Sequence, residues 1–358
     1  MSNLENLLKV IKQVEATHRG IGVPLSFNIL SVLAGQSVFN VASSGKCKTH
    51  MIYSTVDGCK VIPNMTINNW NAMTYYELVE KIGLQINKTL LWTVEEWSML
   101  SDYHRELLMA IASKVQTDHN FERMVSVRGF ATSISIQNCN LVLMIAIQPF
   151  KFGKLMRESD NWNSLANDRF IKMMLINPLQ KDTKKYPPHF ELPLLKFREL
   201  RQPAHPILLK MLTDHLTGGR AELSALNYMN AWCTLNDKDV FTDIDASAFS
   251  ILYGPYLSLY PLMIYTSDPD REESFHTGPF RIVEYFMNHF DEQEITAQQL
   301  ADSFHLAQSD DLVYLSSSSM YRHLNLLKHK KILTNNSPTW SLSPQYRDYF
   351  ENYRKNWT

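Results

Sequence analysis

The stretch Phe39–Ser54, FNVASSGKCKTHMIYS, joins an apolar strand pattern to a helical one through a short polar loop. Its reading turns on the eight residues Ala42, Ser43, Ser44, Gly45, Lys46, Cys47, Lys48 and Thr49. A phosphate-cradling loop reads G-x-x-x-x-G-K-[ST]: backbone N–H groups of a tight turn and the next helix wrap the phosphates, lysine reaches the β- and γ-phosphates, and the hydroxyl binds Mg²⁺. With Lys48 and Thr49 as the functional pair, the lysine and hydroxyl are kept, while Ala42 and Cys47 stand where glycines belong. A second register, Gly45-Lys46-Cys47 with Asn40 at the first glycine, puts a thiol where the magnesium hydroxyl should be. The first register is preferred, because KTHMI leads into a helix. A Cβ at the last glycine position crowds the turn, so affinity should suffer. Taken alone, the stretch reads more readily as a surface loop after a strand.

Outward from the loop, residues 25–190 alternate short apolar runs with helical stretches, which indicates an α/β domain with a largely parallel sheet. LSVLAGQSVFNVA (30–42) is read as a strand running straight into the loop, and KTHMIYSTV as the start of a helix. KTLLWTVEEWSML is an apolar strand ending in Glu95 and Glu96, and DYHRELLMAIASKV has helical periodicity. Two alternating strands, 124–128 and 132–137, precede a continuously apolar one, 141–147, that ends at Gln148. Such an acidic pair can hold Mg²⁺ through water and polarise an attacking water, and a polar strand end can sense a γ-phosphate. Each also has an ordinary structural reading, as a solvated strand end or a cap.

The chain has 358 residues, which favours two or three domains, and the polar, proline-containing and turn-rich segments place boundaries at 1–24, 25–190, 191–270 and 271–358. Residues 194–265 are read as all helical. Hydrophobic residues make up 45% and charged residues 20%, and the net charge of -1 gives no bulk argument for nucleic-acid binding. Cys47, Cys59, Cys139 and Cys233 form no C-x-x-C pair, which suits a reducing compartment and argues against a zinc site. The run LVLMIAI is too short to span a bilayer, and the N-terminal residues pattern as an amphipathic helix, unlike a signal peptide. A cytoplasmic protein without membrane contact is expected.

The order of these motifs resembles AAA+ ATPases, and within them the branch of the minichromosome-maintenance helicases and helicase-like proteins of plasmids and viruses. ASSGKCKTHMI resembles the Walker A loop, LLWTVEEW the Walker B strand, VSVRGFATSISIQN the hairpin before the sensor strand, and LVLMIAIQP sensor 1. NWNSLANDRFIKMMLINP resembles the arginine-finger segment, which makes Arg169 the finger, and GGRAELSALNYMNAWCTL the helical lid, with Arg220 as its sensor arginine. The resemblance covers residues 25–265. It implies a P-loop AAA+ core with parallel sheet and helical lid, ATP held between subunits of a homo-oligomer, Mg²⁺ at Thr49 and Glu95, and catalytic roles for Glu95, Glu96, Gln148 and Arg169. Ala42, Cys47 and Glu95 depart from the pattern where catalysis is most sensitive, which points to weak or lost hydrolysis.

Beyond 271 the order is helix (FRIVEYFMNHF), helix (ITAQQLADSF), helix (SSSSMYRHLNLLKHKKI) and a two-strand turn (LTNNSPTWSLS), the winged helix-turn-helix order. Its third helix carries Ser318, Ser319, Tyr321, Arg322, His323, Asn325 and Lys328, residue types suited to phosphate and base-edge contacts, and DNA is the expected partner. A protein-binding winged helix is the alternative. The whole suggests action on DNA in replication or maintenance of a plasmid, virus or chromosome, with other replication proteins as further partners. A non-catalytic DNA-binding or scaffold protein and a transcriptional regulator are the rivals.

Overall fold

The computed structural model describes residues 4–42, 45–127, 129–175, 186–260, 279, 282–283, 285–286, 294–306, 317–348 and 351. The chain opens with α1 (Glu5–Glu15) and α2 (Gly22–Leu33), then β1 (Ser37–Val41), α3 (Lys48–Cys59) and β2 (Met65–Asn69). There follow α4 (Tyr75–Ile82), β3 (Leu84–Ile86), β4 (Thr89–Val94), α5 (Asp102–Asp118), β5 (Phe121–Val127) and β6 (Phe130–Gln137). Next come β7 (Asn140–Ile147), α6 (Pro149–Glu158), α7 (Asp160–Arg169) and β8 (Phe170–Met174).

Five of these strands form one parallel sheet in the order β2-β4-β7-β1-β8. The period of two along each strand decides the layers. Val142, Met144 and Ala146 of β7 pack with Val32 of α2 and Ile52 and Cys59 of α3. The alternate residues Leu141, Leu143, Ile145 and Ile147 join the larger core with Leu107, Leu108 and Ile111 of α5 and Phe152 of α6. Helices therefore cover both faces, as a parallel sheet of continuously apolar strands requires. Leu7, Val10, Ile11 and Val14 of α1 belong to the same core. Strands β3, β6 and β5 make a separate small sheet, in which β5 and β6 are an antiparallel hairpin.

Two readings of local sequence are corrected here. Leu30–Leu33 end a helix and do not begin a strand; Gly35, at φ +65°, breaks the chain before β1 starts at Ser37. The run is apolar on every side because α2 is buried, and periodicity cannot separate a buried helix from a buried strand. Residues 194–205 are not helical. The proline-rich stretch forms neither helix nor strand, and two of its amides are taken by side chains farther along the chain: Arg198 N donates to Thr234 Oγ1 at 2.9 Å and Leu200 N to Asn230 Oδ1 at 2.9 Å.

A helical group follows, made of α8 (Pro206–Thr213), α9 (Gly218–Leu235) and α10 (Asp243–Ser258). It is joined to α2 by buried hydroxyl pairs, Ser26 with Tyr253 and Ser31 with Tyr228, both at 2.9 Å. The C-terminal part holds β9 (Ile295–Thr296), α11 (Ala297–Leu306), α12 (Ser317–His329), β10 (Leu333–Asn336) and β11 (Thr339–Leu342). Its three strands form an antiparallel sheet in the order β10-β11-β9. Most of FRIVEYFMNHF lies outside the described residues. Among the described residues no helix is long and apolar enough to cross a membrane.

Candidate functional site

Because the large sheet is parallel, the C-terminal ends of β1, β4 and β7 share one edge. The chain leaves β1 toward β2 at one side of the sheet and leaves β7 toward β8 on the other, so the crevice between β1 and β7 is a topological switch point, the usual ligand position in open α/β sheets.

The loop after β1 arrives at this crevice. Ala42 N still pairs with Ile147 O at 3.2 Å, which holds the loop's start against β7. Ser43 and Ser44 lie outside the described residues. Gly45 is left-handed at φ +75°, Lys46 follows it half-buried, and Cys47, which caps α3, is left-handed at φ +57°. Cys47 thus adopts, with a side chain, the conformation that a glycine would take without strain. Cys47→Gly should raise stability by about 1 kcal/mol, read as a shift of the urea midpoint with unchanged slope. Lys48 and Thr49 open α3, and Lys48 is buried, its Nζ donating to Ala42 O at 2.7 Å. Burial pulls its pKa below the ordinary lysine value, against the pull of Glu96 and Cys47, so the ammonium lies within electrostatic reach of Glu96.

Glu95 and Glu96 follow β4 directly, and Asn71, in the turn after β2, fixes their backbone. Its Oδ1 accepts from Glu95 N at 2.6 Å and Glu96 N at 3.4 Å, and its Nδ2 donates to Glu96 O at 2.9 Å. The Glu95 carboxylate accepts from Asn69 Nδ2 and from Tyr53 Oη, the latter at 2.5 Å. That bond to Glu95 raises the Tyr53 hydroxyl to about 12. Tyr53 stands four residues beyond Thr49 on α3, so this contact ties the loop's helix to the carboxylate strand. Glu96 accepts from Ser98 N at 3.3 Å and Ser98 Oγ at 2.8 Å, capping a short turn at Trp97–Met99. Trp97 packs edge-on against Trp162 of α7, ring centroids 4.8 Å apart. Gln148, half-buried, caps α6 at the end of β7. Tyr53, Asn69 and Asn71 had no signal in the reading of motifs; the i to i+4 spacing from Thr49 is the only local hint for Tyr53.

Arg169 and Arg220 lie elsewhere. Arg169 ends α7 just before β8 begins, at the N-terminal edge of the sheet, and both arginines line a cavity of about 440 Å³ there with Gly35, Gln36 and Asn140. Lys48, Thr49, Glu95, Glu96 and Gln148 are brought together at one edge, and Arg169 and Arg220 at the other.

In α12, Tyr321, Arg322, Asn325 and Lys328 are exposed, with Ser318 and Ser319 in its first turn. His323 is only 1% exposed, on the side that buries Leu324 and Leu327, and burial pushes its imidazole down to about 4. It belongs to the packed face, so it is removed from the set of residues presented to a DNA groove. Adjacent helix positions point to different faces, and the sequence run 321–325 had hidden that break.

No protein-family model matches this chain, and no curated protein matches it.

Proposed function

We propose that the chain is an AAA+-like protein that binds ATP at the β1–α3 loop and acts on DNA through its C-terminal winged helix, with slow or lost hydrolysis. The observation that carries this is the delivery of Lys48, through a left-handed turn at Cys47, into the start of α3 and within reach of Glu96. Thr49 and Glu95 supply oxygen donors of the kind Mg²⁺ takes alongside nucleotide phosphates. Tyr53 and Asn69 both donate to Glu95, which orients its carboxylate. The ion would supply charge neutralisation at the phosphates. Arg220, at the far edge, would meet the nucleotide of a neighbouring copy. The β5–β6 hairpin adds a stacking surface for single-stranded DNA in Phe130, 79% exposed beside the turn.

A non-catalytic scaffold that keeps the fold is the second reading, favoured by one observation: Lys48 and Glu96 each already have a partner within the chain, Lys48 at Ala42 O and Glu96 at Ser98.

Calorimetric titration with ATP–Mg²⁺ separates the two. Wild type should bind, and Lys48→Ala should weaken binding by about tenfold or more, a loss of about 1.4 kcal/mol. Binding only after Cys47→Gly would mark a decayed site, and no binding by either protein would sink the nucleotide reading. For DNA, anisotropy with a duplex should show Lys328→Ala weakening all sequences alike and reducing the salt slope by about 1. An unchanged slope with unchanged affinity would move α12 to a protein partner.

A further inference from the structure

Asp168 is the centre of the arginine edge. Its Oδ1 accepts from Arg220 Nε at 2.9 Å and from Thr217 Oγ1 at 2.8 Å, and its Oδ2 faces Arg169 Nε at 3.2 Å. One carboxylate thus joins the core, through α7, to the first turn of α9.

The two arginines on it are not equivalent. Arg169 is spent within the chain: Nη1 donates to Gln116 O at 2.6 Å, Nη2 to Thr117 Oγ1 at 2.7 Å, and the side chain is 12% exposed. Arg220 is 37% exposed, and beyond Nε its guanidinium makes no hydrogen bond among the described residues. A guanidinium held at Nε has its plane fixed and keeps two terminal nitrogens as a fork for an oxyanion. The third arginine of the cavity, Arg198, is committed to Asp237 and Asp239. The charged side chains lining the cavity are Arg169, Arg198, Arg220, Asp168 and Glu199, one more positive than negative.

We propose that Arg220 is the residue that takes a phosphate oxygen at this edge, that Asp168 is the positioning residue that orients it, and that Arg169 is a brace between α5 and α7. The identity of the anion as a nucleotide phosphate rests on the reading above; the division of roles rests on the hydrogen bonds alone.

The test labels arginines of the full-length protein with phenylglyoxal, maps them by mass spectrometry, and uses pyrophosphate and ATP–Mg²⁺ as separate protecting ligands. Arg220 should label readily and be protected at least fivefold by pyrophosphate, while Arg169 labels slowly with or without it. Asp168→Asn, which keeps the volume, should raise the pyrophosphate concentration needed for protection about tenfold, whereas Arg169→Ala should lower the melting temperature and leave Arg220 protection in place. A purely structural Asp168 would shift melting and leave protection unchanged, and that result overturns the proposal. Equal labelling and protection of Arg169 overturns it too. Thr217→Val, which removes only one of the bonds to Asp168, gives an intermediate loss of protection and covers the case in which Asp168→Asn fails to fold. If pyrophosphate protects Arg220 but calorimetry shows no ATP binding, the nucleotide reading fails and the assignment of roles stands; ATP binding that depends on Lys48 without protection of Arg220 defeats the assignment alone.

Discussion

Replacing Asp245 by alanine is expected to lower the stability of the fold by about 3–5 kcal/mol. Asp245 is 1% exposed, yet it serves three elements. It accepts from the Trp232 indole at 3.0 Å, pairs with the Lys238 ammonium, and takes Thr242 N at 2.9 Å and Thr242 Oγ1 at 2.6 Å as the return half of the capping box that starts α10. Truncation leaves a half-buried ammonium and a buried indole N–H without acceptors, and the penalty is that of unpaired groups, larger than the worth of the pair itself. Burial pushes the Asp245 carboxyl up, but the bonds from Lys238, Thr242 and Trp232 prevail and hold it below the ordinary aspartate value. Its contribution is therefore present above the unfolded aspartate pKa and is lost as pH falls through the lower folded one. Urea unfolding followed by circular dichroism measures the loss. Asp245→Asn should lose less, and a loss under about 1 kcal/mol for alanine would show that the network contributes little.

The second large effect is a pH dependence. Lys172, in the middle of β8, is fully buried; its Nζ donates to His215 O at 2.6 Å and Asn167 Oδ1 at 3.2 Å and lies 4.8 Å from the Tyr260 ring. Burial pushes its pKa down from 10.5 to about 7. Between these two values the unfolded chain holds a proton that the folded chain has released, so stability rises with pH across that window. Relative to Lys172→Met, wild type should gain roughly 1–2 kcal/mol from pH 7 to 8.5. His215, pushed down to about 3 by burial, stays neutral throughout, and the buried thiols of Cys59 and Cys233, raised to about 12, act in the opposite sense only nearer the ordinary thiol range. Comparison with the methionine variant cancels them. Parallel pH profiles for the two proteins would show that Lys172 does not titrate in this range.

Neither network was announced in the sequence. Asp245 has one local partner in Thr242, three residues before it in the capping box, while Trp232 and, for Lys172, His215 and Tyr260 are brought in by the fold. What was legible was whatever a period of two or 3.6 can encode: the parallel α/β sheet, the β5–β6 hairpin, α3 after the loop, and Glu95 and Glu96 at a strand end. Even there the reading failed where burial erased the period, as in α2, and where a polar run hid a packed side chain, as at His323. Asn71, which orders the two glutamates, comes from a turn after a strand at the sheet's margin, and nothing in NNWNAM announces that contact. The gathering of Arg169 and Arg220 around Asp168 is likewise a product of topology, since 50 residues of chain separate the two arginines.

The edge-on pair of Trp97 and Trp162 gives the molecule an intrinsic optical gauge. Trp97 follows Glu96 directly, and Arg105 sits over its ring at 5.5 Å, so its emission is coupled to the geometry of the carboxylate turn and to a neighbouring cation. Any ligand that draws Glu96 away from Ser98 changes that environment, and the change can be followed by fluorescence without a label, a dye or turnover.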